Sequence, residues 1–209
     1  MLEKNIEKNV DELLERKKSS ILMKEVFAEL KYTRASSRQY FISIVISLIL
    51  GGIACSVPNT VEIMGNAIEI LNSIDVAFLA MVVGAYAIFQ ALLTDDFIMA
   101  LIMTDNNLLK ISNKSFLNLI MLFLGAIVLN TFLLIIYPVI PVDWVLFDNI
   151  LANNICAGIL CIIYFFGNFM IILEIKNFGI NLFKMFNSSN AQRVINQIMK
   201  DQPKERDGQ

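Results

Sequence analysis

The chain has 209 residues and a net charge of −2, and 56% of its residues are hydrophobic, with a mean hydropathy of +0.64. This composition is more apolar than that of soluble globular proteins and predicts a membrane protein. The charge balance offers no basic excess for direct nucleic-acid binding, and the lack of histidine removes the commonest general base and metal ligand. We therefore predict that the protein is not an enzyme, and the sequence nominates no catalytic, cofactor-binding or metal-binding residue.

Residues 1–38 form a charged arm with the apolar spacing of an amphipathic helix. The arm holds nine of the chain's 17 Lys and Arg, seven Asp and Glu, and no Pro or Gly. It is too long to be the basic region of a cleavable signal peptide. Two compatible interpretations remain open: a solvated helix or helical hairpin that self-associates, and a docking surface for a cytosolic partner.

Four long apolar runs predict membrane-spanning helices, because about 20 helical residues cross the ~30 Å hydrocarbon core of a bilayer. The runs cover residues 40–57, 75–94, 116–140 and 151–173. Pro58 ends the first run, and Pro138 and Pro141 end or kink the third. Residues 58–74, between the first two runs, are amphipathic and predict a short helix on the membrane surface.

These runs predict an all-α fold: a four-span transmembrane helical bundle with cytoplasmic N-terminal and C-terminal helices. The transmembrane domain covers residues 39–174, and a cytoplasmic tail covers residues 175–209. The tail is predicted to contain a short amphipathic helix that breaks at the polar residues 187–190. The 15 Phe and 10 Met of the chain are predicted to be lipid-facing bulk.

The distribution of Lys and Arg predicts the topology. Nine lie in the arm, two lie between the second and third spans, six follow the fourth span, and the other two connections have none. Under the positive-inside rule, both termini are then cytoplasmic. Asp75 marks the outer end of the second span, and Asp95 and Asp96 mark its inner end.

Small residues recur along the second span at intervals of three or four, so they share one face of the helix. The five residues are Ala77, Ala80, Gly84, Ala87 and Ala91. A face of this kind allows another membrane helix to approach closely. We predict that it is a helix-packing seam, and that it forms the central seam of the bundle.

Three amide side chains, Gln90, Asn130 and Asn168, lie inside the predicted spans. They would line a polar pore or ligand path, or they would hydrogen-bond helices together at about 1 kcal/mol or less each, which is the favoured interpretation. No Asp, Glu, Lys or Arg is predicted at mid-membrane. A proton or cation carrier would therefore lack its usual coupling residue.

Acidic side chains at the predicted inner side form a second candidate set, Asp95, Asp96 and Glu174. In an oligomer they would form a negative ring at the inner mouth of a pore. The alternative is that they are solvated helix ends, which is the commoner situation for such residues.

Two cysteines, Cys55 and Cys156, lie near the outer ends of the first and fourth spans. If those two helices adjoin, the thiols would be able to form a disulfide on the oxidising side of the membrane. The favoured alternative is that both are small packing residues.

The string G-A-Y-A-I-F-Q-A-L-L-T-D-D at residues 84–96, the four spans and the charged helical arm together resemble the membrane-subunit family (KwaA) of the bacterial Kiwa anti-phage defence system. The resemblance covers most of the chain at the level of organisation. It implies an oligomeric inner-membrane sensor of infection that binds and controls a cytosolic DNA-binding effector. The implied partners are membrane lipid, further copies of the chain and the effector, which would dock on the N-terminal arm.

A second hypothesis belongs to another class of protein: an ion channel or membrane-permeabilising effector. It is based on the amides inside the predicted spans and on the acids at the predicted inner side. The sequence leaves this alternative open beside the sensor.

Overall fold

The computed structural model describes residues 19–29, 37–57, 59–94, 98, 108–141 and 147–201. In these residues the chain folds into five α-helices and one short 3-10 turn, without a β-strand. The helices are α1 (Ser19–Glu29), α2 (Ser37–Ser56), α3 (Thr60–Leu92), α4 (Leu108–Ile136) and α5 (Ile150–Asp201). Helices α2 to α5 are each long and apolar enough to cross a membrane. The predicted all-α class with four spans is confirmed.

The end of α4 follows from local chemistry at Pro138. Helix α4 ends at Ile136, and Pro138 lies in the 3-10 turn Tyr137–Val139 that follows. Proline has no N–H to donate and clashes with the preceding helical turn, so it stops the helix there. The apolar helix therefore ends two residues before Pro138, as the sequence predicts for this proline.

Helix α2 packs mainly along α5, and α3 packs mainly along α4. At one end of the bundle, Gln39 Nε2 donates to the Leu173 carbonyl oxygen at 3.0 Å. Towards the other end, Gly51 of α2 lies directly against Ile162 of α5. The residue number therefore rises along α2 as the number of its contact on α5 falls, so the two helices are antiparallel. We call the two ends of the bundle the Gln39 end and the Ser56 end.

An aromatic cluster fills the interior between α3, α4 and α5. The Phe116 ring lies 4.8 Å from the Phe178 ring, 5.5 Å from the Phe89 ring and 5.0 Å from the Tyr86 ring, measured between centroids. Phe89, Phe116 and Phe123 are almost completely buried. The prediction that the phenylalanines are lipid-facing bulk is wrong for these three, because lipid and bundle interior are equally apolar.

The outer surface of the bundle is apolar. Within each of the four apolar helices, only 17–28% of the residues in the most hydrophobic window are buried. Large side chains such as Phe41, Val128 and Ile150 are 63–78% exposed. A surface of this kind fits hydrocarbon rather than water.

The predicted surface helix over residues 58–74 is wrong, because residues 60–74 are the first half of the continuous helix α3. The apolar side of this stretch faces the bundle instead of the membrane surface. Met64, Ile68 and Leu71 are 5%, 1% and 6% exposed. The helix ends at Leu92, and Leu93 is extended.

Helix α5 is continuous over 52 residues, so the predicted break at residues 187–190 is wrong. Polar residues such as Asn187 and Asn190 have modest helix propensity, but they do not forbid a helix. At 1.5 Å per residue, α5 is about 78 Å long, more than twice the ~30 Å of a hydrocarbon core.

Part of the predicted arm belongs to the bundle. Helix α1 packs against α4, with Val26 1% exposed in the same cluster as Phe116. The Met23 Cε atom lies 3.5 Å from the position of a Cβ built on Gly125. Residues 1–18 and 30–36 of the arm lie outside the described residues.

Candidate functional site

A hydrogen-bonded network of polar side chains lies inside the bundle, with Asn130 of α4 at its centre. Asn130 Nδ2 donates to Asp75 Oδ2 at 2.9 Å and to Asn168 Oδ1 at 3.4 Å. The Tyr164 hydroxyl donates to Asn130 Oδ1 at 2.9 Å, and Asn168 Nδ2 donates to the Tyr164 carbonyl oxygen at 3.0 Å. The network therefore joins α3, α4 and α5.

Asp75 is the unexpected member of this network. The sequence predicts it at the outer end of a span, but it lies halfway along α3 and is 0% exposed. Its partner Asn130 is also 0% exposed, and Asn168 is 4% exposed. Asp75 therefore does not lie at a helix end, where the sequence predicts it.

The height of the network follows from the pairing of α2 with α5. Gln39 is level with Leu173 and Gly51 is level with Ile162, so Asn168 lies opposite about position 45 of α2. Helix α2 has 20 residues, which is about the thickness of a hydrocarbon core, and position 45 is near its middle. Asp75 therefore lies near the middle of the bundle, and the predicted absence of a charged residue at mid-membrane stays a prediction.

The position of Asp75 is costly in free energy. An Asp at the centre of a membrane helix costs about 2.5–3.5 kcal/mol on insertion scales. No Lys or Arg occurs in the sequence between positions 39 and 109 or between 115 and 175, so the described parts of α2 to α5 around Asp75 carry no basic side chain. Among the described residues Asp75 Oδ1 has no hydrogen-bond partner, and neither has Asn72 Oδ1 one turn before it. An acid held in this way is a candidate for function.

The structure divides the predicted amides. Asn130 and Asn168 meet inside the bundle, as an interhelical contact requires, whereas Gln90 is exposed on the outer surface of the chain. Sequence reasoning missed Tyr164 and Asn72. Continuous helical spacing through residues 60–92 would have shown Asn72 and Asp75 on one face, three positions apart.

Of the predicted acid set, only Glu174 falls in the described residues, and Asp95 and Asp96 lie outside them. Glu174 accepts a hydrogen bond from Asn177 Nδ2 at 3.3 Å. It lines a cleft of about 360 Å³ between α1, α4 and α5, which Lys114 also lines. The acidic ring stays a prediction about an oligomer.

The small-residue face of α3 points away from the bundle. All five residues are exposed in the single chain: Ala77, Ala80, Gly84, Ala87 and Ala91. A Cβ atom built on Gly84 would meet nothing within 4 Å. The face is therefore not the central seam of the bundle, and its contact with another helix stays a prediction about a second copy.

The cysteines of the chain are free thiols in the structure. Helices α2 and α5 do adjoin, as the hypothesis of a Cys55–Cys156 disulfide requires. Cys55, however, packs in the cluster that contains Cys161, and its Sγ lies 3.5 Å from the Cβ position of Gly158. Cys55 and Cys161 therefore act as small packing groups, and the pairing of Cys55 with Cys156 stays a prediction.

Four apolar helices around a buried carboxyl–amide network define a multi-pass α-helical membrane protein. Comparison with protein-family models, curated proteins and solved structures finds no match for the chain.

Proposed function

We propose that the protein is an oligomeric multi-pass protein of the bacterial inner membrane that acts in anti-phage defence. In this proposal it is a sensor and anchor that binds and controls a cytosolic effector. The defence context comes from the resemblance of the sequence to the Kiwa membrane subunits. Both termini are cytoplasmic, as the distribution of Lys and Arg favours.

The observation that carries the proposal is the continuity of α5. Asn168 places this helix in the mid-bundle network, and the same helix continues 28 residues beyond Leu173, to Asp201. That length is about 40 Å of helix, and its first turns still pack in the aromatic cluster through Phe178. A continuous helix transmits a shift from the network to Phe178, which packs in the same buried cluster as Val26 of α1 in the arm.

We place the effector contact on the N-terminal arm. The inner side of α1 is covered by α4, since Val26 is buried, so the partner surface comprises residues 1–18 and the exposed side of α1. Ile21 is 46% exposed on that side, and Lys24 is exposed beside it.

Co-purification tests this proposal. The full chain is tagged and expressed with its genomic neighbours, and is compared with chains lacking residues 1–18 or, as the matched control, residues 202–209. We expect one neighbour-encoded cytosolic protein to co-purify with the full chain and the control, and to be lost without residues 1–18. Protection in a phage plaque assay should be lost in parallel. Retention of the partner without the arm, or unchanged protection without the membrane chain, contradicts the proposal.

The second candidate function is an ion channel or membrane-permeabilising effector. The observation that favours it is Asp75, an acid at the middle of the bundle, because such residues mark ion and proton paths. The test is ion flux in liposomes that contain the purified chain, with Asp75→Asn as the comparison. A bundle without conductance, alone or with its partner, excludes this function.

A further inference from the structure

We propose that Asp75 and Asn72 of α3 form an intramembrane binding site for one small monovalent cation, Na⁺ or H⁺. The inference is independent of the effector proposal, because it concerns what the interior of the bundle binds. It starts from two buried oxygen atoms that the hydrogen bonds of the described residues leave unused.

The two oxygens are Asp75 Oδ1 and Asn72 Oδ1, both buried and without a hydrogen-bond partner among the described residues. Residues three apart lie on the same face of a helix, with Cβ atoms about 5–6 Å apart. A carboxylate oxygen and an amide oxygen at that spacing are hard ligands, which suit Na⁺ and other cations that prefer oxygen. An unsatisfied buried oxygen is costly, so binding a cation there relieves a real penalty.

The network leaves Asp75 Oδ1 without a hydrogen-bond partner among the described residues. Asn130 Nδ2 donates to the other carboxyl oxygen, Oδ2, at 2.9 Å. The amide of Asn130 is itself oriented by the Tyr164 hydroxyl on its Oδ1 and by Asn168 Oδ1 near its Nδ2. Three helices thus hold one oxygen of the carboxyl, and the second oxygen is left to a ligand.

The charge of the site selects a monovalent ion. Asp75 contributes one negative charge at most, and the hydrogen-bonded or adjacent amides Asn72, Asn130 and Asn168 contribute none. One Na⁺ or one proton neutralises the site, whereas a divalent ion would leave a net positive charge inside an apolar bundle.

The groups around Asp75 do not supply that cation from the protein. On α5 the titratable neighbour is Tyr164, whose hydroxyl already donates to Asn130. On α2 the buried side chains nearest this height are Ser43 and Ser47, which carry no charge. Tyr137, in the 3-10 turn, lies against Gly65, about 15 Å along α3 from Asp75.

The test is the thermal stability of the full chain in nanodiscs. Unfolding is followed while Na⁺ replaces choline at constant ionic strength and constant pH, and then while pH is varied at constant Na⁺. A cation that binds only the folded state raises the midpoint temperature with the logarithm of its concentration once that exceeds Kd, by about 5 °C or more at a hundredfold excess over Kd. The variants are Asp75→Asn, which keeps the shape of the side chain, and Asn72→Leu. The matched control is Glu69→Gln, an exposed carboxyl on the same helix.

A Na⁺ site is identified if Na⁺ raises the midpoint temperature of the original chain and of Glu69→Gln. The rise must be absent from Asp75→Asn and weaker in Asn72→Leu. A dependence on pH but not on Na⁺, again lost in Asp75→Asn and kept in Glu69→Gln, identifies a proton site. Equal responses of the original chain and Asp75→Asn to both ions overturn the proposal and leave Asp75 as a structural link. If Asp75→Asn does not fold, Asn72→Leu decides: an ion response equal to that of the original chain overturns the site.

Discussion

At the level of single residues, Gly51 sets how closely α2 and α5 approach. A Cβ atom built on Gly51 would lie 2.6 Å from Ile162 Cγ1 and 3.5 Å from the Ile162 Cα. Its neighbour Gly52 faces open space, with nothing within 4 Å. The two adjacent glycines therefore have opposite roles, although the sequence presents them as a pair.

We expect Gly51→Ala to destabilise the bundle and Gly52→Ala to stabilise it. Overpacking costs about 1–3 kcal/mol and the gain in helix propensity is about 1 kcal/mol, so Gly51→Ala should lose on the order of 1 kcal/mol. Gly52→Ala should gain up to about 1 kcal/mol. Unfolding in mixed micelles with increasing denaturing detergent measures both. Equal effects at the two positions would show that Gly51 is not a close contact.

At the level of elements, the continuity of α5 is the feature that local sequence obscures. Residues 187–190 read as a break because Asn and Ser compete for backbone hydrogen bonds. The structure keeps all four in the helix, which runs to Asp201. The apolar residues on both sides, Phe186 and Val194, remain on one continuous element.

We expect Asn187→Pro to interrupt α5, because proline inside a helix costs about 3 kcal/mol or more. Hydrogen exchange of residues 188–201 should become faster, while exchange in the spans stays unchanged. Asn187→Ala is the control, and it should leave exchange the same or slower because alanine favours the helix. If a break already exists near residue 187, the proline variant will exchange like the original chain.

At the level of the whole molecule, one chain leaves a smooth face of small residues on its surface. Gly84 lies at the centre of that face, exposed and without neighbours within 4 Å of its Cβ position. Gly167 on α5 is exposed and open in the same way. Substitutions at Gly84 and Gly167 can therefore be compared. An effect at Gly84 alone indicates self-association through the α3 face, and an equal effect at both indicates a general effect of a bulky residue on the apolar surface.

We expect Gly84→Leu to weaken self-association and Gly167→Leu to leave it unchanged, if copies meet through the α3 face. Small residues allow membrane helices to approach closely, and a leucine at the centre of the face prevents that approach. Mass measurement in detergent or single-molecule photobleaching in liposomes gives the number of copies. An oligomer that persists in Gly84→Leu and dissociates in Gly167→Leu would place the interface elsewhere.

Only some residues of the candidate site could be predicted from the sequence. Asn130 and Asn168 are recognisable, because amides inside apolar runs pair across helices. Asp75 is not recognisable from the sequence. Residues 60–74 are predicted to lie on the membrane surface, and an acid next to an apolar run then indicates a membrane boundary. Tyr164 looks like a lipid-facing aromatic until its hydroxyl is seen 2.9 Å from Asn130 Oδ1.

The sequence by itself determined the all-α class and the number of spans, because helix length and apolar content do not depend on neighbours. The tertiary structure alone decided which side of each helix is inside, the height of Asp75 and the outward direction of the small-residue face. The physical reason is that lipid and protein interior are both apolar. Hydrophobic periodicity distinguishes a helix side that faces water from one that faces an apolar environment. Only packing distinguishes a side that faces lipid from one that faces protein.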